Sequence, residues 1–124
     1  MDNRRKLERK RTGAYVAVFD TRTNTSLGCL VDITTAGFRL LSTKPLSIDR
    51  LYSVRLEIPA PIAGSRMIAL ETKSVWCRKN QETNLFDVGF IIRALSEDNL
   101  HRLELWMEHP SFNKSGSTAA KPQG

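Results

Sequence analysis

The run LYSVRLEI, positions 51–58, alternates from its second residue: Tyr52, Val54, Leu56 and Ile58 are apolar, and Ser53, Arg55 and Glu57 between them are polar. Successive side chains of an extended chain point to opposite faces, so a period of two predicts a strand with one face in a core and the other in water. Toward the N-terminus, FRLLS (38–42), LGCLVDI (27–33) and AYVAVF (14–19) are further β-rich runs, separated by the turn-forming stretches KPLSIDR, TTAG and TRTNTS. The last two of these runs are expected to pair as a hairpin, and Gly37 of TTAG to supply a positive φ at the reversal. Toward the C-terminus, the prolines of PAPIAGSR (59–66) are expected to end the central strand. MIALETKSVWCR and LFDVGFII then form a second hairpin about the polar turn KNQETN. Six or so short strands, closely connected and without intervening helices, predict an antiparallel barrel or sandwich rather than a parallel α/β sheet.

A single helix is expected after the strands. Ser96 suits the N-cap, Glu97 and Asp98 place negative charge in the first turn, and Pro110 marks the stop. Leu100, Leu103, Trp106 and Met107 form an apolar stripe that would pack on the sheet, with Leu105 on the opposite face. The residues after Pro110 are polar and small, so 110–124 is expected to be a disordered tail. The chain thus divides into a flexible basic arm (1–12), a β domain with its helix (13–109) and the tail.

With 124 residues and 14.0 kDa, the chain has the size of one core. No apolar run approaches the roughly 20 residues that span a bilayer, and no secretory apolar segment follows the charged start, so a cytoplasmic protein without membrane insertion is expected. Cys29 and Cys77 lack His or Cys neighbours at metal-ligand spacing and are read as small core residues; no metal is expected. The formal charge is +6, of which the first eleven residues contribute +4 through Arg4, Arg5, Lys6, Arg9, Lys10 and Arg11 against Asp2 and Glu8. A general nucleic-acid binder spreads its cations along a groove, whereas a concentrated arm suits a small anion.

Two short patterns carry chemistry. Arg5 and Arg9 stand four residues apart in RKLER, and Asp32, Thr34 and Gly37 form D-x-T-x-x-G in DITTAG. An arginine fork binds phosphate with two parallel hydrogen bonds, reaches guanine O6 and N7 together, or stacks on a base. A carboxylate accepts the N1–H and N2–H₂ donors of guanine, which suits Asp32. The Thr34 hydroxyl can add a contact, and Gly37 lets the backbone approach closely.

With these residues the chain resembles the PilZ domains, bacterial receptors for cyclic di-GMP, whose signatures are R-x-x-x-R followed by [D/N]-x-S-x-x-G. The resemblance extends through SVWCRKNQETNLFDVGFII and the helix, over about residues 4–108. It implies a six-stranded antiparallel β-barrel with a C-terminal α-helix, and a ligand site of Arg4, Arg5, Arg9, Asp32, Thr34 and Gly37. Thr34 departs from the commoner serine, keeping the hydroxyl and adding a methyl group. Arg4 stands where the family influences whether one cyclic dinucleotide or a stacked pair is bound. The implied activity is that of a receptor, with no cofactor beyond its ligand. Its arm would fold over the barrel on binding and signal to a protein effector, the protein itself being a monomer or weak dimer.

Other readings stand beside this one. The basic arm alone reads as a solvated tail, and D-x-T-x-x-G alone as an Asx-type turn bonding local backbone. Trp76, an aromatic in a strand, is read as core and left out of the site; Arg39 and Lys73 are read as solvated surface, and His101 and His109 as exposed helix residues. No Ser/His/Asp or Cys/His set and no phosphate-binding G-x-x-x-x-G-K-[ST] occurs, so an enzyme is not expected. A small basic barrel binding single-stranded nucleic acid, or a PilZ-like interaction module without ligand, are the alternative functions. Aromatics at 7% of the chain and charge confined to the arm disfavour the first.

Overall fold

The alternating run at 51–58 lies within one of the two long strands of a closed sheet. The structure is a computed structural model that describes residues 10–13 and 15–112. Its strands are β1 (Lys10–Arg11), β2 (Ala17–Asp20), β3 (Thr25–Ile33), β4 (Gly37–Ser42), β5 (Arg50–Ile62), β6 (Ser65–Lys79) and β7 (Phe86–Ala94), followed by helix α1 (Glu97–Glu108). Hydrogen-bonded neighbours run β3, β2, β5, β6, β7, β4 and back to β3, all antiparallel, which closes a six-stranded barrel. The short β1 adds no position to the ring. It continues along the β3 edge that β2 occupies, with Lys10 opposite Ile33 and Arg11 opposite Asp32.

Both expected hairpins form, β2 with β3 and β6 with β7. The prolines at 59 and 61 do not end the central strand. β5 continues to Ile62 and turns into β6 through Ala63 and Gly64, both at positive φ. The β5–β6 pairing is irregular between Glu57 and Ile62, so prolines that lack an N–H sit where the regular ladder is already interrupted.

The inward set of each strand fills the barrel. Val18, Leu40, Val54, Leu56, Ile68 and Val88 are fully buried, and Phe90 stacks on Phe38 with ring centroids 4.9 Å apart. Helix α1 is capped as its sequence predicts, the Ser96 hydroxyl accepting from the Asn99 N–H at 3.1 Å. Leu103 and Trp106 are buried, Leu100 and Met107 half-buried, and Leu105 is 42% exposed on the other face. Arg102 ties the helix to the β5–β6 turn by donating to the carbonyls of Ile62 and Ala63 at 2.9 and 3.2 Å.

Ser111 and Phe112, which fall in the tail expected after Pro110, are bonded to or packed on the fold. Phe112 is 1% exposed and meets the Trp106 ring edge to face at 4.6 Å. Its carbonyl accepts from the Gly13 N–H at 3.0 Å and from the Thr12 hydroxyl at 2.7 Å. Thr12, expected in a free arm, is likewise bonded to the fold, and its N–H also donates to Val31 at 3.2 Å. One large apolar ring in a polar segment suffices to anchor it when the partner pocket is supplied by the helix. Phe112→Ala is expected to lower the unfolding free energy by about 3–5 kcal/mol in urea titration; an unchanged midpoint would contradict this packing.

Candidate functional site

The D-x-T-x-x-G segment is the connection between β3 and β4. Its reversal is held by Thr34, whose N–H donates to the Gly37 carbonyl at 2.8 Å and whose hydroxyl accepts from the N–H groups of Ala36 and Gly37 at 2.9 and 3.1 Å. Thr34 is buried, and its hydroxyl is engaged by the turn itself. Gly37 does not adopt the positive φ expected of it. The turn needs glycine there because a Cβ would press on the Phe90 carbonyl oxygen of β7.

Two bulges decide which side chains leave the barrel. Leu30 pairs with Leu40 and Asp32 with Arg39, so β3 advances two residues while β4 advances one, and Val31 has no counterpart in β4. The same happens between β6 and β7, where Ser74 pairs with Phe90 and Trp76 with Gly89, leaving Val75 over. An extra residue turns the following side chains to the opposite face. Leu30 and Ile33 point inward and Asp32 lies outward; Ser74 and Cys77 point inward and Trp76 outward.

One cross-strand row results on the outer face: Asp32 on β3, Arg39 on β4, Gly89 on β7 and Trp76 on β6. Asp32, 6% exposed, receives two donors from Arg39 on its Oδ2, Nε at 3.2 Å and Nη2 at 3.1 Å. Arg39 Nη1 reaches Asp87 Oδ1 at 3.4 Å. The Trp76 indole lies over Gly89, filling the space a side chain there would take, and the Arg78 guanidinium sits 4.9 Å from its ring centre. Arg39 and Trp76, read from sequence as solvated surface and core, are therefore corrected: both belong to this row. Lys73 does lie on the surface, paired with exposed Asp49 at 2.9 Å.

Arg4, Arg5 and Arg9 lie outside the described residues. Lys10, covalently joined to Arg9, pairs with Ile33, the residue between Asp32 and Thr34.

No family model matches the sequence, and no curated protein matches it. Solved structures do. The inhibitor of motility (MotI/DgrA) of Bacillus subtilis aligns with a TM-score of 0.67 at 13% identity, over 90% of this chain and 53% of that one. The PilZ domain with c-di-GMP of YcgR from Escherichia coli aligns with a TM-score of 0.60 at 14% identity, over 96% and 95%. The crystal structure of YcgR in complex with c-di-GMP aligns at 0.61 and 15%, over 97% and 51%. The fold is that of a PilZ domain. This PilZ-like chain spans about half the length of the inhibitor of motility and of the longer YcgR structure.

Elsewhere on the PilZ-like barrel, a groove of about 610 Å³ lies toward the other end of β3, bordered by Leu27, Cys29, Ser42, Lys44, Leu46 and Tyr52. None of Asp32, Thr34 and Gly37 lines it. Cys29 and Cys77, expected in the core, are half-buried, though Cys77 packs against the core. Burial pushes the Cys29 thiol up, a backbone hydrogen bond opposing this in part, so the thiol is protonated at neutral pH and is a poor nucleophile. Among the described residues no three His, Cys, Asp or Glu side chains gather as metal ligands. No helix there is long and apolar enough to cross a membrane.

The contact of Trp76 with Gly89 is testable. Gly89→Ala is expected to expel the indole, shifting its fluorescence to the red and lowering stability by about 1–3 kcal/mol; unchanged emission and stability would contradict the stacking.

Proposed function

We propose that this chain is a cytoplasmic receptor for cyclic di-GMP, bound on the outer face of the barrel, and that occupancy is passed to a protein partner. The observation that carries the reading is the outer row, in which a carboxylate, a guanidinium and an indole stand in register, with β1, whose Lys10 follows Arg9 in the sequence, paired to β3 at Asp32 and Ile33. Asp32 accepts the N1–H and N2–H₂ of one guanine. Trp76, half-buried and outward, carries the Arg78 guanidinium over its ring, and that planar cation is a surface on which a flat base stacks. Thr34 and Gly37 shape the turn that presents Asp32, the threonine hydroxyl serving the backbone as a serine would.

The phosphates need cations from elsewhere. Asp32 and Asp87 offset Arg39 and Arg78, so these four side chains carry no net charge to attract a dianion. Arg5 and Arg9, assisted by Arg4, supply the forks that neutralise it. Support also comes from the two YcgR structures, which share this fold and are complexes with c-di-GMP. A receptor of this kind needs no nucleophile or general base. It needs a free-energy difference between two conformations, and ordering the basic segment on the ligand provides one.

Calorimetric titration of the full chain with cyclic di-GMP tests the proposal. Saturable binding is expected, weakened about ten- to a hundredfold by Arg5→Ala, Arg9→Ala or Asp32→Asn, since each removes charge-assisted hydrogen bonds. Absence of binding, or tight binding indifferent to both arginine variants, would overturn it.

A further inference from the structure

Asp87 lies on β7, in register with Leu41 and Arg78, and belongs to neither short motif. We propose that Asp87 is a positioning residue for base selection: through Arg39 it fixes the Asp32 carboxylate, and so sets how strongly the surface prefers guanine to adenine. This inference rests on the reading of the row as a cyclic dinucleotide site.

The chemistry of the two bases makes carboxylate orientation matter. Guanine presents two adjacent donors, N1–H and N2–H₂, that a carboxylate accepts together. Adenine presents an acceptor at N1, which a carboxylate held at the same place repels. A carboxylate free to rotate gives up part of that contrast, because it can turn toward the adenine amino group instead. Selection therefore depends on what holds Asp32.

Arg39 holds it with two donors on one oxygen at 3.2 and 3.1 Å. An arginine side chain has several freely rotating bonds, and two donors at one end leave its far edge unfixed. The far edge is fixed by Asp87, which accepts from Nη1 at 3.4 Å. The guanidinium thus spans two carboxylates contributed by β3 and β7, with β4 carrying it between them. The side chains are 9% exposed at Asp32, 16% at Asp87 and 32% at Arg39, so the bridge is sheltered at its acid ends and open at its centre. A purely structural ion pair in this position would stabilise the fold slightly and leave ligand preference alone.

The test compares cyclic di-GMP and cyclic di-AMP binding to the full chain by calorimetry. Asp87→Ala is expected to lower the preference for cyclic di-GMP by about three- to thirtyfold, within the range of coupling between residues sharing one network. The isosteric Asp87→Asn serves should the alanine variant fail to fold. Arg39→Lys is expected to lower the preference too, since an ammonium cannot bridge both acids. In an Asp32→Asn background, Asp87→Ala is expected to change the preference no further. An unaltered preference in Asp87→Ala and Asp87→Asn, or an equal loss in the Asp32→Asn background, overturns the inference while leaving the receptor reading intact. Failure of the unaltered chain to bind cyclic di-GMP removes both.

Discussion

One extra residue in a strand reverses the facing of those that follow, and two such insertions shape the surface of this barrel. Val31 in β3 and Val75 in β6 have no counterparts in their neighbouring strands. Without the first, Asp32 would continue the inward set begun by Leu30 and bury a carboxylate among aliphatic side chains, at a cost of several kcal/mol. Without the second, Trp76 would follow Ser74 into the barrel. With both, the core stays apolar and a charged and aromatic row lies outside it. Closure of the ring through β3 and β4 then brings Asp32 opposite Arg39.

In the proposed receptor the row and the basic residues of the N-terminal sequence divide the work. A rigid sheet supplies shape and hydrogen-bond direction, since its side chains are held by neighbours on both sides. In the proposed receptor, Arg4, Arg5 and Arg9 supply the positive charge. The row itself is internally paired, with Arg39 bonded to its two acids, so the proposal assigns to other residues the charge that a dianion needs.

Local features were legible in the sequence and long-range ones were not. The alternation at 51–58, the Ser96 cap and the polar turns at 21–24 and 80–84 each depend on a few adjacent residues, and they led to the strands, the helix and both hairpins. Asp32, Thr34 and Gly37 were singled out because their spacing is a motif. Trp76 was misread because a bulge is defined by the partner strand, which period-two counting does not see. Arg39 and Asp87 are 48 positions apart and become neighbours only when β4 pairs with β7. Pro59 and Pro61 are tolerated because the β5–β6 ladder is already irregular there, and Phe112 is buried because a helix that precedes it supplies the ring it packs on. These depend on tertiary partners.

The location of the nucleotide on the outer row is the claim on which the rest turns, and residue-resolved NMR measures it directly. Adding cyclic di-GMP to ¹⁵N-labelled protein should shift the backbone amides of Ala36, Gly37 and Gly89 and the indole N–H of Trp76, while the amides of Leu27, Lys44 and Leu46 around the groove at the other end of β3 stay in place. Shifts confined to the groove, with the Trp76 indole and the Gly37 amide unmoved, would contradict the account.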